Sequence, residues 1–73
     1  KEFVIYCDII DEAGGIATIA TILATEKVSI KNIGIIHNRE FEDGVLKIEF
    51  YEEDAMERAI ALLKKRNYIV YER

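Results

Sequence analysis

Hydrophobic residues recur with a period of two and then of about 3.6, and the chain runs through that pair of periods twice. Phe3, Ile5, Cys7 and Ile9 alternate with Glu2, Val4, Tyr6 and Asp8, the pattern of a strand with one buried face. Ile16, Ile19, Ala20 and Leu23 then fall at i, i+3, i+4 and i+7, one face of a helix running to Glu26. Thr18, Thr21 and Thr25 lower the intrinsic propensity of that helix, so packing has to supply most of its stability. The isoleucine-rich segment 29–38 reads as a second strand with Ile33 and Ile35 facing the core. After a turn over 40–44, a third strand over 45–51 alternates Leu46, Ile48 and Phe50 with Lys47 and Glu49.

A second helix follows, its buried stripe Met56, Ala59, Ile60 and Leu63. Glu52, Glu53 and Asp54 place negative charge at its start and Lys64-Lys65-Arg66 positive charge at its end, both favoured by the helix dipole. Tyr51 is positioned to pack on Met56 as a hydrophobic staple. Asn67 suits a left-handed cap, and 68–71 reads as a short last strand. The order is βαββαβ. Two right-handed crossovers on one four-stranded antiparallel sheet give an α+β, ferredoxin-like sandwich with both helices on one face. The opposite sheet face carries Val4, Tyr6, Ile10, Ile36, Val45 and Tyr51 among polar residues, which implies a partner surface.

Seventy-three residues make one domain, 1–73, near the lower limit for a single unstapled core. The single cysteine, Cys7, allows no internal disulfide and no cysteine-rich metal site. At 51% hydrophobic and 33% charged, the composition suits a compact domain rather than a disordered tail. A net charge of −4 argues against nucleic acid, whose phosphates call for clustered Lys and Arg. No apolar run approaches the roughly 18 residues of a membrane span, and no signal peptide is visible, so a cytoplasmic setting is expected. A start at Lys1 rather than Met, and an end just after the last expected strand, read as a domain cut from a longer protein.

The run Asp11-Glu12-Ala13-Gly14-Gly15-Ile16 joins the first strand to the first helix. Unpaired N–H groups and the dipole at a helix start favour a carboxylate, and glycines let a ligand approach closely. Asp11 beside them suits an ammonium group, so the loop fits a zwitterionic amino acid. A tight turn that needs glycine for geometry alone would look the same. The loop is no phosphate motif, lacking both the Lys-Ser/Thr pair of a Walker sequence and the three spaced glycines of a dinucleotide fingerprint. Ser29 and Asn32, at the start of the second strand, are expected at the same end of the sheet as this loop. His37 is the only histidine and has no paired nucleophile or second ligand in the sequence, and Cys7 reads as a small core residue. Glu40, Glu42 and Asp43 read as solvated turn. No constellation for acid–base, nucleophilic or metal catalysis emerges, which leaves a binding module.

With Val28-Ser29-Ile30-Lys31-Asn32-Ile33 following the first helix, the glycine run resembles that of an ACT domain. Together with Arg39-Glu40 and Gly44-Val45-Leu46-Lys47-Ile48-Glu49-Phe50, it is most similar to the C-terminal ACT domain of bacterial prephenate dehydrogenases. The resemblance implies a ferredoxin-like domain that pairs side by side with a second copy and binds an amino-acid effector at the homodimer interface. By position the ligand residues are Asp11, Gly14, Gly15 and Ile16, facing Ser29 and Asn32 of the neighbouring copy. It further implies a parent enzyme that oxidatively decarboxylates prephenate to 4-hydroxyphenylpyruvate on the route to tyrosine. The catalytic residues and the NAD or NADP would lie in a separate catalytic domain, with no cofactor or metal in this one. The family usually carries proline before the first loop glycine. Ala13 stands there, and it leaves a less rigid loop. The leading expectation is allosteric feedback by an aromatic amino acid, tyrosine first; the rivals are a ligand-free oligomerisation module and the ACT domain of another amino-acid-metabolism enzyme. A hydrolase of the acylphosphatase kind would need a basic residue in 9–16, which holds none, and RNA binding through Tyr6 and Tyr51 is opposed by Asp8 and Glu49.

Overall fold

A computed structural model describes residues 1–9, 12–37 and 44–72. The elements run β1 (Phe3–Ile9), α1 (Glu12–Thr25), β2 (Asn32–His37), β3 (Gly44–Phe50), α2 (Glu53–Lys65) and β4 (Val70–Tyr71). The sheet order is β2-β3-β1-β4, and every neighbouring pair is antiparallel. Each helix therefore crosses one intervening strand, α1 over β3 and α2 over β1, giving the ferredoxin-like arrangement expected from the periods.

The alternation in the strands places the core. Ile5, Cys7 and Ile9 from β1 and Leu46, Ile48 and Phe50 from β3 are all buried beneath the helices. Ile19, Ile22 and Leu23 from α1 and Met56, Ala59 and Leu63 from α2 close the layer. Ile60 is only partly buried, and Ile22 takes the core position that the sequence reading gave to Ala20. Tyr51, which was to pack on Met56, leaves 61% of its surface exposed. No helix among the described residues is long and apolar enough to cross a membrane.

Both helices end in the same way. Beyond α2, Asn67 has φ 69°. Its N–H donates to the Lys64 carbonyl, and the Tyr68 N–H donates to that of Leu63, each at 3.0 Å. Beyond α1, Lys27 has φ 59°, with Lys27 N–H to the Ala24 carbonyl at 3.0 Å and Val28 N–H to that of Leu23 at 2.9 Å. These paired bonds form Schellman motifs. At the first cap the apolar contact that accompanies the motif is available from Val28 and Leu23, both buried. Val28 is thereby committed to the cap, and β2 begins at Asn32 rather than at 29. β4 begins at Val70 rather than at 68.

Candidate ligand site

The glycine pair stands in the first turn of α1, which starts at Glu12 and not at Ile16. None of the described glycines has positive φ, so neither Gly14 nor Gly15 is present for a left-handed turn. Gly15 has a different cause. A β-carbon there would lie 3.2 Å from both Cβ and Cγ2 of Ile9, a buried residue fixed in β1. Gly15 thus lets the start of α1 press directly on the end of β1. Ile16 is partly buried against the core and Ala13 is exposed. Asp11 lies outside the described residues, as do Ile10 and the expected turn residues Glu40, Glu42 and Asp43.

A cleft of about 400 Å³ opens between this turn and the connection from α2 to β4. Gly14, Gly15 and Thr18 line one side, Arg66, Tyr68 and Ile69 the other. Lys64, Lys65 and Arg66 stand at the end of α2 as the charge pattern implied, and the cleft mixes Arg66 with the exposed carboxylate of Asp8.

Ser29 and Asn32 are not at this end of the sheet, and the expected placement is corrected by the strand register. Asn32 pairs with Glu49, and Glu49 pairs with Val4, whereas the glycine turn follows Ile9. At about 3.4 Å per residue that separation along the sheet is roughly 17 Å. The physical reason is the crossover: β1 and β2 run parallel on either side of β3, so the start of β2 lies beside the start of β1. The 14-residue helix α1 carries the chain back between the two ends.

Asn32 is exposed on the helix-free face in line with Gly34 and Ile36, while Ile33 and Ile35 pack against the core. Ser29 lines a second cleft, of about 340 Å³, with Tyr51, Asp54 and Arg58. Arg58, which sequence reasoning passed over, donates to the Glu26 carbonyl and ties α2 to the end of α1. Its exposed position on the far side of the Met56–Ala59 stripe gives no sequence signal. Within one copy, then, the glycine turn and the Ser29–Asn32 segment are separate features.

Two further expectations can be placed. Cys7 is fully buried, and desolvation, helped by the neighbouring Asp8 charge, pushes its thiol up to about 11. It is a core residue with its ionisation suppressed, the opposite of an activated nucleophile. His37 ends β2, paired through its backbone with Gly44.

The topology and the close helix–strand contact at Gly15 define a ferredoxin-like domain, and comparison with known proteins narrows the class. No family model matches the chain. Over 62 residues it is 42% identical to the prephenate dehydrogenase of Bacillus subtilis (strain 168), a match covering 85% of this chain and 17% of that protein. The crystal structure of the ACT domain of prephenate dehydrogenase from Bacillus anthracis superposes with a TM-score of 0.86 at 37% identity. That match covers 93% of this chain and 99% of the solved one. The chain belongs to the ACT domains, in the form found in prephenate dehydrogenases.

Proposed function

We propose that this chain is the regulatory domain of a prephenate dehydrogenase and binds an aromatic amino acid, tyrosine first, between two copies of itself. The observation that carries the reading is the likeness along nearly the whole length of a solved ACT domain of such an enzyme. The two separated features then have a use. β2 is an edge strand of six residues, Asn32–His37, whose outer side pairs with no strand among the described residues, whereas the other edge, β4, has two residues. An unprotected edge of that length is a template for a second chain. Antiparallel pairing of two β2 strands sets the start of each beside the end of the other. The end of β2 is also the end at which the glycine turn lies, so the turn of one copy comes to the side of Ser29 and Asn32 of its partner.

In this reading the helix start and Asp11 receive the ligand's carboxylate and ammonium groups, and Asn32 of the partner supplies a further polar contact. Prephenate oxidation and the NAD or NADP that accepts the hydride belong to another domain of the parent protein, since this chain has no spaced-glycine fingerprint. The effector regulates by binding more tightly to one state of the parent than to the other.

A second reading, an oligomerisation module without ligand, is favoured by the Gly15–Ile9 contact, which accounts for one glycine by packing alone. Calorimetric titration with tyrosine, phenylalanine and other amino acids separates the two. Heat with tyrosine at one equivalent per chain, abolished by Asp11→Ala in a folded protein, is expected. Absence of heat with every amino acid, under conditions where the protein is folded and dimeric, rejects the effector and leaves the second reading.

A further inference from the structure

Ile69 is the most exposed large apolar side chain among the described residues, with 65% of its surface in water. Its backbone is nonetheless held firmly. The Asp8 N–H donates to the Ile69 carbonyl at 3.1 Å, and the two residues before it carry the Schellman bonds, Asn67 N–H to the Lys64 carbonyl and Tyr68 N–H to that of Leu63. Tyr68, partly buried against the core, continues the same apolar surface. This stretch faces Gly14 and Thr18 of α1 across the cleft of about 400 Å³, with the buried Ile9 between them.

A cleft of that size falls in the range that takes a small organic molecule. Its lining selects among them. Ile9, Ile69 and Tyr68 offer hydrocarbon and ring surface, and among the described residues Arg66 is the cation in the lining. A guanidinium stacks on the face of an aromatic ring. A bare anion is opposed by Asp8, which also borders the cleft. Apolar walls with one arginine therefore suit an aromatic ring better than a charged side chain. The wall is fixed before anything binds, so little ordering has to be paid on binding.

The cleft also stands in the right place. It borders the first turn of α1, where the ligand's carboxylate is received in the reading above, and it lies on the β4 side of β1, away from the β2 edge. A ligand held at the helix start by its backbone groups has the cleft open beside it. We infer that this cleft receives the ring of the aromatic effector, with Ile69 and Tyr68 as its walls and Arg66 stacked on its face. The inference rests on the effector reading and adds the residues that make the domain choose an aromatic amino acid. The ligand is then divided between two surfaces: its backbone groups at the boundary between copies, its ring inside one copy.

Calorimetric titration of the 73-residue chain with tyrosine, together with isotope-filtered NOE spectra of the bound ligand, tests it. Arg66, Ile69 and Thr18 are all exposed and away from the β2 edge, so Arg66→Gln, Ile69→Ser and Thr18→Phe keep the wild-type circular dichroism, melting temperature and dimer dissociation constant. Arg66→Gln and Ile69→Ser each weaken tyrosine binding by about three- to tenfold, through loss of the cation–ring contact and of apolar burial. Thr18→Phe fills the cleft and weakens it at least tenfold. In the wild type, the tyrosine ring protons show NOEs to the methyl groups of Ile69 and Thr18. Wild-type binding that all three variants leave unchanged, or ring NOEs confined to the segment 29–32, overturns the ring's placement and leaves the effector reading standing. A folded, dimeric wild type that binds no amino acid overturns both.

Discussion

Gly15 and Cys7 show how far single residues are set by their neighbours. Ile9 is β-branched and anchored in a central strand, so it cannot yield to a side chain placed 3.2 Å away. Gly15→Val is expected to destabilise the domain by about 1–3 kcal/mol in urea unfolding. Ile9→Ala in the same chain should offset part of that cost, giving a double variant less destabilised than the sum of the singles. Strictly additive costs would separate Gly15 from Ile9. For Cys7 the sign follows from burial. Its folded thiol lies near 11 against 9.0 for the free group, so the unfolded chain ionises first as pH rises. The stability gained by keeping the thiol neutral is whole below pH 9 and is lost between 9 and 11, on the order of 2 kcal/mol. Melts of wild type and Cys7→Ala over that range check it: the wild type should fall more steeply, and parallel curves would contradict the burial account.

At the scale of elements, the two helix ends carry one motif with different residues. Asn67 is a residue type that visits the left-handed region readily, and it was readable as a cap. Lys27 holds the same conformation against its own preference, and no local signal announces it. Lys27→Gly is therefore expected to raise stability by about 0.5–1 kcal/mol in thermal unfolding, the relief of a left-handed side chain less the entropy of glycine. A loss would mean that the lysine side chain makes a contact outweighing that strain. Strands β1 and β3 and the stripe of α2 could be read from the sequence because burial on one face imposes a period. The start of α1 could not, because two glycines look like a break in a helix, and here Gly15 lets the first turn lie on Ile9. The start of β2 was read too early because Val28 is apolar for the sake of the cap at Leu23 and not of the sheet.

For the whole molecule, the decisive relation is the parallel run of β1 and β2 imposed by a right-handed crossover. It sets the glycine turn and the Ser29–Asn32 segment at opposite ends of the sheet. The residue types of the candidate site were visible in the sequence, but their mutual placement was not, since it depends on strand register. If the site is shared between copies, two broken chains can mend each other. The direct measurement is a calorimetric titration with tyrosine of Asp11→Ala chains, Asn32→Ala chains and an equilibrated one-to-one mixture of the two. A mixed dimer pairs both lesions in one site and leaves the other intact. Each variant alone should bind nothing, and the mixture should bind with wild-type affinity at about a quarter of the wild-type stoichiometry, since half the dimers are mixed and each offers one of two sites. No recovered binding in the mixture, with mixed dimers shown to form, would contradict a site built between two copies.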